Sequence, residues 1–412
     1  MAEAKPTAPV EESQWSGVED TIEDPEEIKV IFQALDSFAQ YAKAAHLNCT
    51  HMRRQAFYAL PQAHWKMLAD PPFSYLETLD RVDAAIENNA KLARVILKEG
   101  LRSFDMSEDS SESDHATMPD EWAGIAKHSD VDKARSTIRQ FYRDWSAEGR
   151  SEREACYEPI FRALDAHRAR YSELSQLRVL VPGAGLGRLV FDLCQRGYFS
   201  EGNEISYHQL LASSFILNNV QKAGQFTIYP WIHSFSNHRS RENQFKSYDI
   251  PDIHPQRTLE ATQGIGAMQM CAADFLCLYG DEEHGNEYDA VAACFFLDTA
   301  PNLIRYLEVI RHCLKPGGIL INVGPLLWHW EGQVAGHQGY DGGDNEENNG
   351  MGIAEPGSFE LTHEEVVALV EKMGFTIEHH ETDIAAPYIQ DSNSMLQTVY
   401  RAAHWVARKS EA

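Results

Sequence analysis

Residues 177–188 read LRVLVPGAGLGR. Leu177 to Val181 is a short apolar run suited to a buried parallel strand. It leads straight into Gly183-Ala184-Gly185-Leu186-Gly187, and a helical apolar pattern resumes from Leu189 to Leu193. A strand ending in closely spaced glycines ahead of a helix lets a ligand approach bare backbone at the helix N-terminus. Glu204 stands twenty-one positions after Gly183, at the expected end of the second strand. A carboxylate there can accept hydrogen bonds from both hydroxyls of an adenosine ribose. The unit reads as a nucleotide-type cofactor site.

The glycine spacing separates the candidate cofactors. Dinucleotide sites use G-x-G-x-x-G, whereas this loop is G-x-G-x-G. A pyrophosphate needs a helix dipole and free amides, but S-adenosylmethionine carries a sulfonium cation and no phosphate. The stretch therefore favours a methyl-donor site over a nicotinamide or flavin site. On these residues alone, a glycine-rich turn in some other α/β protein stays open.

The rest of the chain bounds the reading. Its 412 residues hold 36 basic and 62 acidic side chains, a formal charge of −26. That charge argues against nonspecific nucleic-acid binding, which depends on basic patches and counterion release. Seven cysteines without a C-x-x-C pair read as reduced thiols, neither a disulfide frame nor a zinc site. The first thirty residues lack an apolar signal core and no run approaches a membrane span. The expected location is the cytoplasm, with the nucleus left open.

Residues 1–23 are polar, acidic and expected to be a disordered tail. Asp24-Pro25 then has the form of a helix cap and first turn, followed by Ile28, Ile31, Phe32, Leu35 and Phe38 at helical spacing. Helical patterns near 50–68 and 74–99 extend an N-terminal helical region over 24–150, broken by an acidic segment at 107–114. From Val131 to Ala147, Ile138, Phe141, Tyr142 and Trp145 mark a buried helix face. Gly149 is expected to end that helix, and Ser151 with Glu154 to cap the next. An α/β domain covers 151–412, with strands near 177–182, 199–203, 267–271, 288–295, 318–323 and 395–407. It carries one insert near 205–265, rich in aromatics and histidines, and another near 332–357, rich in Gly, Asn and Asp. Thr362 to Met373 reads as a capped amphipathic helix. Strands alternating with helices predict a doubly wound, mostly parallel sheet of the class I methyltransferase kind, with ligands at the carboxyl ends of the strands.

Several strings carry a more specific likeness: QFYRDWS (140–146), EREACY (152–157), LVPGAGLGRL (180–189), GNE (202–204), YPWIHSFSN (229–237), CFFLDTA (294–300), LKPGG (314–318) and GPLLWHW (324–330). With these the chain resembles the carnosine N-methyltransferase family from about residue 130 to its C-terminus. The resemblance implies transfer of a methyl group from S-adenosylmethionine to an imidazole nitrogen of a small histidine-containing dipeptide, giving anserine from carnosine. It also implies cofactor contacts at Gln140, Arg143, Gly183, Gly185, Glu204, Asp274, Phe275 and Cys294. Substrate contacts fall on Asp298, His329 and Tyr400, the first two also catalytic. It implies a homodimer, which the N-terminal helices could support. One departure stands out: Thr398 occupies a position where the family leads one to expect a tyrosine. That leaves room for an acceptor that is a longer peptide or a protein histidine. A cofactor-binding partner protein without activity is the third reading.

Each residue also has a plainer reading. Gln140 and Arg143, three apart, share one helix face; Arg143 can pair with a methionine carboxylate or with its neighbours Asp144 or Glu148. Asp274-Phe275 can meet an adenine, or be a helix N-cap and a core aromatic, or both. Cys294 has nothing near it in sequence to make it a nucleophile and reads as a small wall residue. Asp298 can accept the N–H of an acceptor imidazole, fixing its tautomer and stabilising the developing imidazolium. His329, between Trp328 and Trp330, is either a packed histidine or a substrate contact. His233, His238 and His254 match no standard ligand spacing, and no metal is expected; their segment is expected to roof the substrate pocket.

Overall fold

The strand that carries the opening stretch lies inside a seven-stranded sheet. The computed structural model describes residues 24–104, 118–171, 176–332, 353 and 357–411. The expected tail at 1–23, the acidic break at 107–114 and nearly all of the 332–357 insert lie outside them.

Among the described residues six α-helices precede the sheet: α1 (Pro25–His46), α2 (Met52–Tyr58), α3 (Gln62–Ala69), α4 (Tyr75–Arg102), α5 (His128–Trp145) and α6 (Arg150–Arg168). The carboxylate of Asp24 accepts the Glu26 N–H at 2.9 Å and Pro25 opens the first turn of α1, as the sequence predicts. Leu35 and Phe38 of α1, Ile96 of α4, and Ile138 and Phe141 of α5 are buried together in one core. Each such side chain contributes about 1.5–3 kcal/mol by leaving water.

The turn between α5 and α6 differs from expectation. Helix α5 ends at Trp145, and Gly149 is the N-cap of α6, so Ser151 lies inside the helix. Ser146 holds the turn instead, donating to the Tyr142 carbonyl at 2.6 Å and accepting the Gly149 N–H at 2.9 Å. Glu154 points outward to Arg150, 3.1 Å away. A Cβ on Gly149 would meet the Tyr142 carbonyl oxygen at 2.1 Å, so this tight approach admits only glycine.

The α/β part runs β1 (Arg178–Pro182), α7 (Arg188–Gln195), β2 (Phe199–Glu204), α8 (Tyr207–Ser214), β3 (Phe226–Ile228), α9 (Arg241–Gln244), β4 (Tyr248–Ile250) and α10 (Pro255–Ala261). It continues through β5 (Ala267–Ala272), α11 (Phe275–Tyr279), β6 (Tyr288–Cys294), α12 (Leu303–Cys313), β7 (Leu314–Gly324), α13 (His363–Lys372), β8 (Phe375–Pro387) and β9 (Val399–Lys409). The sheet order is β5-β2-β1-β6-β7-β9-β8. The first five strands are parallel, and β9 runs antiparallel between β7 and β8. Chain direction across the sheet reverses at β1, whose neighbours are β2 and β6. That reversal opens a crevice at the carboxyl end of β1, where an α/β sheet binds its ligands.

Helix α13 has the expected reciprocal cap, with Thr362 and Glu365 each accepting the other's backbone N–H. Strand β8 was not anticipated. It is an edge strand with only Phe375 and Ala386 fully buried, so the hydrophobic alternation that marks a strand is missing. The 205–265 insert does not stand apart. Its hairpin β3–β4 packs on the N-terminal helices, where Asn89 of α4 donates to the Tyr229 carbonyl at 3.0 Å and accepts the Tyr229 N–H at 2.8 Å. Among the described residues no helix is long and apolar enough to cross a membrane.

Candidate active site

A cavity of about 800 Å³ occupies the crevice at the ends of β1, β2 and β6. Its floor is the glycine loop. Gly183, Gly185 and Gly187 adopt φ of +66°, +59° and +74°, values that favour glycine. A Cβ on Gly183 would lie 2.9 Å from the Phe296 ring, and one on Gly185 would lie 3.1 Å from Gln140 Nε2. The bare backbone is therefore required by what packs over it.

Glu204 ends β2 at 6 % exposure. Its carboxylate accepts N–H groups from Gly185 at 2.9 Å, Ile205 at 2.9 Å and Ser206 at 2.8 Å. Burial raises its pKa above the usual carboxylate range, and the three N–H groups oppose that shift. Three loop amides are already committed: Gly185 to Glu204, Ala184 to the Asn203 carbonyl and Gly187 to the Ala184 carbonyl. A pyrophosphate would compete for them. A cofactor recognised through ribose hydroxyls and carrying no phosphate fits this loop better.

Asp274 serves two ends at once. Oδ1 caps α11 by accepting the Leu276 and Cys277 N–H groups at 2.8 and 3.3 Å, and Oδ2 accepts the Ile353 N–H at 2.8 Å. Beside it, Phe275 meets Phe296 edge to face at 5.3 Å, and Phe296 stacks on Tyr306 at 4.9 Å. These rings form an apolar wall suited to a flat heterocycle.

The opposite wall comes from the N-terminal helices. Gln140 and Arg143 of α5 both line the cavity, as do Cys156 and Tyr157 of α6. Trp145 Nε1 donates to the Leu186 carbonyl at 3.0 Å and so locks α5 onto the glycine loop. Arg143 forms a two-point pair with Asp144, Nε to Oδ1 at 2.6 Å and Nη2 to Oδ2 at 3.0 Å. Burial works against its charge, but the Asp144 carboxylate outweighs it, and the guanidinium stays firmly protonated. The pairing engages one edge of the fork, and Arg143 still faces the cavity. The Cys294 thiol is held protonated by its hydrogen bond with Cys156 and by burial, which suits a wall residue.

The acceptor end is built from the segments after β6 and β7. Two residues there hold left-handed backbone, Phe295 at φ +54° and Trp328 at φ +44°, a strain typical of functional turns. Asp298, 2 % exposed, ties the segments together. Its Oδ2 accepts the Leu327 N–H at 2.8 Å and its carbonyl accepts the His329 N–H at 3.0 Å. Burial raises the Asp298 pKa, with the Leu327 N–H and His329 partly offsetting it. Trp328 and Trp330 are pinned by indole hydrogen bonds to the Leu361 and Thr299 carbonyls at 3.0 and 3.1 Å. That leaves the His329 side chain on the cavity surface.

Nine of the eleven expected site residues line this one cavity: Gln140, Arg143, Gly183, Gly185, Glu204, Asp274, Phe275, Cys294 and His329. Asp298 lies behind His329, and Tyr400 lies behind Phe295 and Tyr388, with ring centroids 5.7 Å from each. The sequence reading missed Tyr388, whose ring stacks on Phe295 at 5.4 Å and sits 5.4 Å from the Arg143 guanidinium. It also missed Glu152, which fixes the chain next to Tyr388 by accepting the Ile389 and Gln390 N–H groups at 2.7 and 3.1 Å. The EREACY string pointed to Glu152, but nothing local pointed to Tyr388. Of the three insert histidines, His233 and His238 line a second, smaller cavity and His254 precedes α10. The insert roofs that neighbouring cavity; its contributions to the first are Ile205 and Gln209. Thr398 also lines the second cavity. Among the described residues no group of three or more His, Cys, Asp or Glu side chains is placed to hold a metal ion.

Comparison with known proteins agrees with this geometry. Residues 120–411 match the family profile described as carnosine N-methyltransferase. The chain is 37% identical to the carnosine N-methyltransferase of Schizosaccharomyces pombe over 387 residues, 93% of this chain and 97% of that protein. It is 32% identical to the rat carnosine N-methyltransferase over 96% of this chain and 90% of that protein. The Drosophila melanogaster carnosine N-methyltransferase unmet is 33% identical over 95% of this chain and 82% of that protein.

Proposed function

The chain belongs to the carnosine N-methyltransferase family, and from that premise we propose that it methylates an imidazole nitrogen of carnosine to give anserine. The observation that carries the reading is a single cavity joining the glycine loop and Glu204 at one end to His329 at the other. S-adenosylmethionine supplies, when bound, a methyl group made electrophilic by its sulfonium.

The chain's own residues then have defined tasks. Glu204 takes the ribose hydroxyls, the Asp274 region and the Phe275–Phe296–Tyr306 wall take the adenine, and Arg143 with Gln140 takes the amino-acid end. The acceptor ring needs a lone pair on the attacking nitrogen. An imidazole of ordinary pKa, about 6.5, is largely neutral at pH 7 and needs no strong base. His329 orients the ring, and Asp298 sits behind it, tied to the Leu327 N–H. Its negative charge stabilises the imidazolium that forms, in a setting where few waters compete. Tyr388, Phe295 and Tyr400 close the aromatic side. Alignment of nitrogen, methyl carbon and sulfur then supplies most of the acceleration.

Incubation of the purified chain with S-adenosylmethionine and carnosine is the test, read by chromatography of the dipeptide. Appearance of methylated carnosine supports the reading. Tight S-adenosylhomocysteine binding with no methylated dipeptide would overturn it in favour of another acceptor or an inactive partner.

A further inference from the structure

Helix α5 presents a ridge of three arginines, Arg135, Arg139 and Arg143, each four residues from the next and therefore on one face. Arg143 faces the main cavity. Arg135 and Arg139 face the neighbouring one, a space of about 350 Å³ under the 230–238 segment and the chain from Ile389 to Thr398. The two cavities adjoin along this helix: Tyr388 lines the first and Ile389 the second. Four residues of helix advance by about 6 Å, a distance that a dipeptide spans with its imidazole in one cavity and its peptide arm in the other.

The three arginines differ in how they are paired. Arg143 is held by Asp144, and Arg135 by Asp132 at 3.1 Å. Arg139 has no carboxylate within ion-pair distance among the described residues. Its Nη2 donates to the Ile389 carbonyl at 2.5 Å, and its guanidinium lies 5.2 Å from the Trp231 ring. One hydrogen bond engages one of five donors, and stacking on an indole leaves the fork's edge open to a carboxylate. The same cavity holds Asp391, 5 % exposed, whose Oδ1 meets Lys246 Nζ at 3.3 Å while its Oδ2 has no partner among the described residues. A guanidinium and a carboxylate in one small cavity match the two opposite charges of a zwitterionic peptide.

We propose that Arg139 binds the carboxylate of the acceptor dipeptide, so that the smaller cavity seats the acceptor's peptide arm while its ring enters the main cavity. This rests on the carnosine reading above. Arg139 is a substrate-positioning residue and takes no part in methyl transfer.

The experiment compares carnosine with carcinine, its analogue lacking the carboxylate, on protein loaded with S-adenosylhomocysteine. Dissociation constants are measured by calorimetry for the wild type, Arg139→Met and Arg139→Lys. The wild type should bind carnosine about tenfold or more tighter than carcinine, the scale of one charge-assisted hydrogen-bonded pair. That preference should collapse toward one in Arg139→Met and survive in part in Arg139→Lys. An undiminished preference in Arg139→Met, or none in the wild type, would overturn the proposal. A collapse in both variants together with loss of S-adenosylhomocysteine binding would also count against it, because the substitution would then have acted through the fold. Turnover measured alongside separates the two levels. A wild type that methylates neither compound removes the proposed activity, while the binding ratio still decides the role of Arg139.

Discussion

Arg143 and Asp144 are sequence neighbours on α5 that form a two-point ion pair, 2.6 and 3.0 Å, at the wall of the cofactor cavity. Asp144 is 2 % exposed, so the pair does more than decorate a surface. It keeps a guanidinium rigid and charged beside the expected position of the cofactor's amino-acid end, and it neutralises a buried carboxylate. Asp144 in turn neighbours the buried network in which Arg188 donates to the Asp144 carbonyl at 3.0 Å and to Asp252 at 2.7 Å.

Removing Arg143 should therefore cost both binding and stability. Arg143→Met strands a buried carboxylate, a loss of about 3–5 kcal/mol when one partner of such a pair goes. Weaker S-adenosylhomocysteine binding, by about tenfold or more, should accompany it. Asp144→Asn added to Arg143→Met should restore part of the stability and none of the affinity, a non-additivity that calorimetry and urea unfolding read separately. Restored affinity in the double variant would place the cofactor's carboxylate elsewhere.

Glu204 makes a sharper test of the cofactor end. An amide in its place offers one acceptor oxygen where the carboxylate offers two to Gly185, Ile205 and Ser206. Glu204→Gln should lower S-adenosylhomocysteine affinity by about tenfold or more and leave carnosine affinity, measured without cofactor, within about twofold, well under one such hydrogen bond. Unchanged cofactor affinity would contradict the assignment.

Asp298→Asn separates charge from scaffolding. Asparagine retains an oxygen for the Leu327 N–H, which holds the His329 segment, but carries no negative charge for a developing imidazolium. Turnover should fall by about a hundredfold or more, the scale of one preorganised electrostatic contact, with cofactor affinity nearly intact. Equal loss of cofactor binding by titration calorimetry would sink that role.

Buried histidines link stability to pH. His208 and His167, 6 % and 2 % exposed, are pushed down to about 4 chiefly by burial, against about 6.5 in an unfolded chain. Folded values below unfolded ones mean stability that is complete above about pH 6.5 and is lost as pH falls toward 4. At pH 5 each withholds a proton at a cost of about 2 kcal/mol. Glu204 and Asp298, whose values are raised by burial, push in the opposite direction. The histidine contribution is thus read as a difference: the urea midpoint of His208→Leu should depend less steeply on pH between 7 and 5 than that of the wild type. Parallel pH profiles would show that His208 titrates freely in the native state.

The readable parts of the site were those encoded by contiguous residues. Strand β1, the glycine loop and Glu204 follow one another within a single β–α–β unit, Cys294 ends the apolar strand β6, and Asp274 caps α11 two residues after β5. The unread parts depend on chain return. Strand β8 sits at the sheet edge with solvent on most of its length, so no periodicity announces it. Tyr388 reaches the cavity only because β8 and β9 bring the 387–399 segment back across α5, and the Arg139–Trp231 contact needs the insert to fold on the N-terminal helices. Asp298 was legible as an important acid, but its burial behind His329 follows from the left-handed turns at Phe295 and Trp328. The α5–α6 turn misled because Ser151 with Glu154 has the form of a cap, while the Ser146 hydroxyl and the crowding at Gly149 start the helix earlier.

Methyl transfer to the imidazole of a small dipeptide is decided by a labelled-methyl assay across carnosine, homocarnosine, free histidine and histidine-bearing peptides. Label is expected in carnosine, on a ring nitrogen by product analysis, with kcat/KM well above that for free histidine or the longer peptides. Label confined to long peptides or proteins, or none in carnosine at saturating cofactor, would contradict it.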